Sequence, residues 1–147
     1  MMRQVQLFPS HCSRIIPYMN EQHGKIIIDG ACEVWPHELL TAEALARAGH
    51  TVEFIPKSNV AYNKTPDVRI NGIRYEMKSP TSSHLSVVDK NVKKALSQST
   101  HIVFDSKRMK NAKDAQVLRE LEKSIATRRK LKSLIFVDKR RAVHRLK

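Results

Sequence analysis

The sequence predicts an α/β domain, a mixed-sheet sandwich with an α-β-β-β-α-β core followed by a C-terminal helix and strand. Three observations carry that expectation. Apolar residues recur at helical spacing over residues 36–48, 87–99 and 114–128. Short apolar or alternating runs stand between those segments, and Asn71-Gly72 separates two of them, a strong short-range hairpin signal. The hairpin supplies antiparallel pairing while helices link other strands, so the sheet is expected to be mixed. At 147 residues and 41% hydrophobic, the chain is expected to form one domain, residues 1–147, with a modest core.

Residues 1–35 read as an irregular segment, punctuated by Pro9, Pro17 and Gly24, with a short strand over Lys25 to Asp29. Pro36 opens a helix that runs to Ala48 and is stopped by Gly49, matching the preference for Pro just inside a helix and Gly just past it. Thr51 to Ile55 is a strand. Asp67 to Ile70 and Ile73 to Lys78 are the two arms of the hairpin. Val88, Val92, Ala95, Leu96 and Ser99 share one face of the next helix, which leads to the strand His101 to Asp105. The last helix aligns Val117, Leu118, Leu121 and Ile125, and Ser133 to Asp138 is a final buried strand. Residues 36–105 thus form the core, and 106–147 a basic extension of the same domain.

Charge is unevenly placed. The chain holds 27 Lys and Arg against 14 Asp and Glu, a formal net charge of +13. Residues 1–105 contribute 12 basic and 10 acidic residues, for +2, and residues 106–147 contribute 15 and 4, for +11. Basic clusters fall at Lys107-Arg108 with Lys110, at Arg128-Arg129-Lys130 with Lys132, and at Lys139-Arg140-Arg141 with Arg145 and Lys147. Such clusters attract phosphate without reading sequence, so nucleic acid is the leading partner. Lys90, Lys93 and Lys94 lie on the polar side of their helix, where they suit either a nucleic-acid backbone or a solvated face. A catalyst for small neutral molecules is disfavoured. No apolar run approaches the ~20 residues of a membrane span, nor that of a signal sequence, so the chain is expected to be soluble and to lack an export signal of its own. Cys12 and Cys32, with His11 and His37, make neither a disulfide framework nor a persuasive zinc site. Trp35 and Tyr62 are too few for a base-stacking platform, since aromatics are 5% of the chain.

If Asn71 and Gly72 form a two-residue turn, Ile70 pairs with Ile73, Arg69 with Arg74, Val68 with Tyr75 and Asp67 with Glu76. One face then carries Val68, Ile70, Ile73, Tyr75 and Met77, and the other Asp67, Arg69, Arg74, Glu76 and Lys78. Two carboxylates directly opposite destabilise a hairpin unless positive charge intervenes. A divalent cation or Lys78 supplies it. Two hard-oxygen ligands and an ammonium suit metal-assisted phosphodiester hydrolysis, with Asp67 and Glu76 holding Mg²⁺ and Lys78 acting on the attacking water or the phosphoryl charge. The same residues also read as a charged solvent face neutralised by Arg69, Arg74 and Lys78, and a bulge would change which residues are opposed.

Pro66-Asp67, followed by Glu76-Met77-Lys78, resembles the motif of the PD-(D/E)xK nucleases, and the element order is similar to their restriction-endonuclease-like core. More narrowly, His37-Glu38, Thr41-Ala42, Leu45, Gly49, Val52, Pro56, Thr65-Pro66-Asp67, Gly72, Glu76, Lys78-Ser79-Pro80-Thr81 and Gln98 resemble the C-terminal nuclease domains of contact-dependent growth inhibition toxins that cleave tRNA. That resemblance spans residues 37–138. It implies a catalytic set of Asp67, Glu76 and Lys78, joined by an acidic residue of the first helix. Glu38 shares the arc of Ala42, Leu45 and Ala46, whereas Glu43 lies nearer Arg47, so Glu38 is preferred and Glu43 is second-rank. Ser79, Thr81 and Gln98 are further second-rank candidates, suited to contacting nucleotide or orienting Lys78 and equally to ordinary polar roles.

The expectation is therefore a toxin-type endonuclease directed at tRNA, assisted by Mg²⁺ or acting without metal through its carboxylates and lysine. Arg128, Arg129, Lys130, Lys139, Arg140 and Arg141 join the helix lysines in holding substrate. The resemblance also implies an acidic immunity protein and action in the cytoplasm of a target cell. The chain begins Met1-Met2 with no delivery region, which suits an excised domain or a free-standing relative. A DNA endonuclease of the same fold and a non-catalytic nucleic-acid-binding protein remain the alternatives.

Overall fold

A computed structural model of the chain describes residues 6–8, 13–17, 24–56 and 66–147. Among them run β1 (Gln6–Phe8), β2 (Ser13–Pro17), β3 (Lys25–Ile28), α1 (Pro36–Arg47), β4 (Val52–Phe54), β5 (Val68–Ile70), β6 (Ile73–Lys78), α2 (Ser86–Leu96), β7 (His101–Asp105), α3 (Asp114–Thr127), β8 (Ser133–Val137) and β9 (Val143–Arg145). The order from α1 to β8 is the one expected, and the class is mixed α/β. The chain divides into two compact units, Met1–Arg74 and Tyr75–Lys147. His11, Cys12, Tyr62 and Thr65 lie outside the described residues.

In the first unit β1 to β5 pair in chain order, antiparallel except for the parallel contact of β3 with β4. Strands β1 and β2 correct the expectation of irregular structure over residues 1–35. Strand β1 pairs with β2 and β2 with β3, neighbours in sequence that no two-residue glycine turn joins, and Pro17 sits at a strand end, where a missing N–H is tolerated. Ile26, Val52, Phe54, Val68 and Ile70 are buried on alternating strand positions, and α1 turns Ala42, Leu45 and Ala46 into that core. Gly49, at φ +100°, ends α1 in the left-handed region that favours glycine. Asn71 and Gly72 have φ of +50° and +86°, the two positive values that a type I′ turn requires. Asn71 also binds the entry to β4, its Oδ1 accepting from the Thr51 N–H at 2.9 Å while its own N–H donates to the Thr51 carbonyl. Ile73, expected on the apolar face, is 45% exposed beside the turn.

In the second unit β6, β7 and β8 are parallel, and β9 is antiparallel to β8. Ile102 and Phe104 of β7, with Leu134 and Phe136 of β8, meet Val88 and Val92 of α2 and Val117 and Leu121 of α3 in one cluster. Both helices return from the C-terminal end of one parallel strand to the start of the next, so they run side by side over one sheet face. Strand β9 was unexpected. The segment Lys139-Arg140-Arg141 carries no glycine or proline to mark a turn, yet Arg141 adopts φ +68° and its guanidinium holds the buried Asp105 through two hydrogen bonds of 2.9 and 2.7 Å. That tertiary ion pair offsets a backbone conformation costing about 1–2 kcal/mol.

Backbone approaches backbone closely at Gly24, whose N–H donates to the Ala46 carbonyl at 2.6 Å. A Cβ there would lie 1.9 Å from the His50 carbonyl oxygen. Gly24→Ala is expected to destabilise the chain by about 1–3 kcal/mol in urea denaturation, because backbone on both sides must shift.

Candidate active site and nucleic-acid interface

Tyr75 and Glu76 alternate across β6 and are both buried, at 3% and 2% exposure. The Tyr75 hydroxyl meets Ser133 Oγ at 2.8 Å, spanning β7 from β6 to β8 and fixing that face of the sheet. Glu76 therefore projects to the opposite face, with Ile102 as its register partner, and Lys78 follows on the same face opposite Phe104. This is the apolar face covered by α2 and α3. Lys78 Nζ lies 3.3 Å from Glu76 Oε2, with side-chain exposures of 17% and 3%. Of the two readings of this face, the charged solvent face does not hold for Glu76: its carboxylate is buried and paired with the lysine two residues on. Burying an ion pair beside apolar side chains costs several kcal/mol per ion before attraction repays it.

The chain leaves β6 through Ser79, which is half-buried, and enters α2 past Thr81, Ser82 and Ser83. Where β6 and β7 end, Thr81 and Ser83 line a cavity of about 520 Å³ with Lys107, Arg108, Lys110 and Asn111. Ser83 Oγ accepts from the Asn111 N–H at 3.3 Å, joining the two loops. The carboxyl ends of parallel strands are the usual place for ligand crevices in α/β sheets. Here the crevice begins three residues after Lys78, and the amino-terminal ends of α2 and α3 face the same side, adding positive potential to three cationic side chains. Its chemistry suits an anion held by ammonium, guanidinium and hydroxyl groups.

Asp67 immediately precedes β5 and is half-buried, its backbone carbonyl accepting from the Ile55 N–H at 3.0 Å. Arg69 pairs with Glu53 of β4 at 2.9 Å, as their register places them opposite. Glu38 and Glu43 are both half-buried on α1, so exposure does not separate them. Glu38 Oε2 accepts from the Trp35 N–H at 3.1 Å, closing the first turn of the helix as the third residue of a capping box does. Trp35 itself is 63% exposed. The Cys32 thiol donates to the Phe54 carbonyl. Gln98 is half-buried beyond α2, at the entry to β7 and therefore at the end of the second unit opposite the cavity. Among the described residues no group of three or more His, Cys, Asp or Glu is placed to hold a metal ion. A Mg²⁺ bound through one or two carboxylates and several waters does not require such a group.

The basic residues divide into two populations. Lys90, Lys93, Lys94, Arg129, Lys130 and Arg140 are exposed. Arg128, Lys139 and Arg141 are held internally. Arg128 grips Asp89 of α2 with hydrogen bonds of 2.8 and 2.6 Å, and Ser124 adds a third at 2.8 Å. The Arg128 guanidinium holds the Asp89 carboxyl below its ordinary range, against the opposing effect of burial. Lys139 reaches the Ala112 carbonyl and Asp114, tying the exit of β8 to the start of α3. The C-terminal surplus is therefore partly structural.

From the sequence Lys107, Arg108 and Lys110 stand out only as one of three basic clusters that attract phosphate, and Ser83 and Asn111 do not stand out. The signal was present: a basic pair and a further lysine directly after a strand that follows a crossover helix. Assigning them needed the parallel direction of β6 and β7, which side-chain periodicity does not reveal.

Comparisons with known proteins add two findings. A family model described as the contact-dependent growth inhibition CdiA C-terminal domain matches residues 64–143. A solved CdiA-CT/CdiI toxin and immunity complex from Burkholderia pseudomallei contains a chain of similar fold, with a TM-score of 0.64 and 20% identity over 82% of this chain and 98% of that one. No curated protein matches. Strands β5 to β8, with the Glu76–Lys78 pair and the basic cavity, all lie within the matched residues.

The two readings of Glu38 separate by substitution. Glu38→Ala is expected to cost about 0.5–1 kcal/mol in thermal or urea unfolding through loss of the capping bond, while Glu38→Gln, which still caps, leaves stability unchanged. Loss of cleavage in the Gln variant assigns the carboxylate to chemistry, and full cleavage assigns it to the helix end alone.

Proposed function

Because this chain belongs to the family of contact-dependent growth inhibition CdiA C-terminal domains, we propose that it is a toxin nuclease, a PD-(D/E)xK-type phosphodiester hydrolase acting on RNA, with tRNA as its substrate. The observation that carries the reading is the buried Glu76–Lys78 pair at the end of β6, beside a cavity lined by cations and hydroxyls. A buried ion pair is a weak device for stability, and hydrophobic residues of similar volume often serve as well or better. Placed where parallel strands end, the pair supplies what phosphoryl transfer needs. Lys78 offsets charge that develops on the non-bridging oxygens, and Glu76, 3.3 Å from it, aims that lysine. Lys107, Arg108 and Lys110 hold a neighbouring phosphate, with Thr81 and Ser83 as hydroxyl donors. Water attacks phosphorus and gives up a proton as the new P–O bond forms, the P–O bond to the leaving nucleotide breaks, and the departing oxygen takes up a proton, so the proton count is unchanged.

Asp67 and Glu38 belong to the first unit, and their catalytic role rests on the family resemblance alone. Asp67 and Glu76 offer hard oxygen donors of the type Mg²⁺ takes, and that ion, when bound, polarises the scissile phosphate. The toxin role brings an immunity partner, and a cationic cavity calls for an acidic one. Action in the cytoplasm of a target cell follows from the same role. Among the described residues no helix is long and apolar enough to cross a membrane.

The test is cleavage of total tRNA and of plasmid DNA, each with Mg²⁺ or with EDTA. The reading expects tRNA to be cut and plasmid spared, EDTA to suppress cutting, and Lys78→Ala to slow it about 10²–10³-fold while the circular dichroism spectrum is retained. Plasmid cut with tRNA intact would identify a DNA endonuclease. Intact substrates with salt-dependent binding would identify a non-catalytic nucleic-acid-binding protein.

A further inference from the structure

The two helices of the second unit end in a second cationic cavity. It measures about 370 Å³ and is lined by Lys93, Leu96 and Ser97 at the end of α2 and by Arg128 and Lys130 just beyond α3. Since α2 and α3 run side by side in the same direction, this cavity and the one beside Lys78 occupy opposite ends of the helix pair. Lys90, Lys93, Lys94 and Ser97 lie between the middle of α2 and its end at spacings of three, four and seven residues, one stripe on the side away from Val88, Val92 and Ala95.

Helix stability does not account for that stripe. Like charges three and four residues apart repel, by about 0.2–0.5 kcal/mol per pair. The single acidic residue of α2, Asp89, has Lys93 one turn beyond it as a charge neighbour but accepts its hydrogen bonds from Arg128 and Ser124, and it leaves Lys90 and Lys94 unaccounted for. The helix end attracts cations through its dipole, which explains Lys93 and Lys94 but not Lys90 one turn earlier. A row of ammonium groups leading from one cationic cavity toward another is complementary to a polyanion with regularly spaced charges.

Building on the nuclease reading above, we propose that a single RNA strand lies along α2, one phosphate held in the Lys107–Arg108–Lys110 cavity and another in the Lys93–Lys130 cavity, with Lys90 and Lys94 on the backbone between. Helix lengths of 11 and 14 residues put the two ends about 16–21 Å apart at 1.5 Å per residue. The two phosphodiester groups of a three-nucleotide strand are too close together to reach both ends, whereas a ten-nucleotide strand spans them. The distal cavity acts by holding backbone, so it adds affinity for long substrates and none for short ones.

The experiment is fluorescence anisotropy with labelled oligoribonucleotides of three and ten nucleotides, in EDTA, across a salt series, with the parent chain and the double variant K93Q/K130Q. Both lysines are exposed, and a thermal melt confirms that the variant is folded. The ten-mer is expected to bind the variant at least tenfold more weakly at low salt, with the slope of log affinity on log salt reduced by about 1.4, while three-mer affinity changes less than twofold. An unchanged slope for the ten-mer, or equal weakening of both oligomers, overturns the proposal. Binding of polyglutamate as tight as that of the ten-mer would also overturn it, by identifying a surface for acidic protein. Because EDTA removes metal-dependent cleavage, the outcomes separate from the parent reading: a normal track with no cleavage of any substrate sinks the nuclease, and normal cleavage with an unchanged slope sinks the track alone.

Discussion

A carboxylate and an ammonium lie 3.3 Å apart on a sheet face whose β7 and β8 residues are apolar and covered by two helices. The arrangement of the second unit follows from accommodating that pair. Tyr75, on the other face of β6, is anchored to Ser133 across the intervening strand, so the alternation of β6 cannot slip without exposing the phenol and turning Glu76 away. The parallel register with β7 then brings Lys78 to the end of the sheet, next to loops that carry three cations and two hydroxyl side chains. A charge pair that is costly to bury occupies the position from which a strand delivers groups to a crevice.

The distribution of positive charge acquires a more exact meaning. A net +11 over residues 106–147 reads in one dimension as a single basic surface. In three dimensions part of it is internal framework: Arg141 neutralises buried Asp105, Arg128 joins α3 to α2 through Asp89, and Lys139 fastens β8 to α3. Of the exposed remainder, Lys107 and Lys110 lie at the end where α2 and α3 begin, Arg129 and Lys130 at the end where they finish, and Arg119, Lys123, Arg140 and Arg145 elsewhere on α3 and around β9. Salt is expected to act strongly on the second population and weakly on the first, because partly buried pairs are screened far less.

The fold was legible wherever periodicity and turn chemistry determine it. Pro36 and Gly49 bracket α1, Asn71-Gly72 adopts the positive φ values that its composition implies, and the buried faces of α2 and α3 are those that helical spacing selects. What escaped carries no strong local mark. Strands β1 to β3 pair with their sequence neighbours without a two-residue glycine turn between them, and β9 depends on a left-handed arginine held by Asp105, which is distant in sequence. At the candidate site, the motif Glu76-x-Lys78 was visible as residues, but its burial was not. Amphipathic alternation suggested water on the charged face, whereas the helices cover it. The cavity residues at 107–111 were visible only as charge, since their role depends on strand direction.

The central claim is that Glu76 and Lys78 act as one unit in phosphodiester cleavage. A double-mutant cycle tests it most directly: single-turnover rates of tRNA cleavage by the parent, E76Q, K78M and the combined variant, each shown to be folded. The account predicts that either single change lowers the rate about 10²–10³-fold and that the double variant is scarcely slower than the singles, as for residues that act together. Strictly additive losses, or parental rates in either single variant, would contradict it.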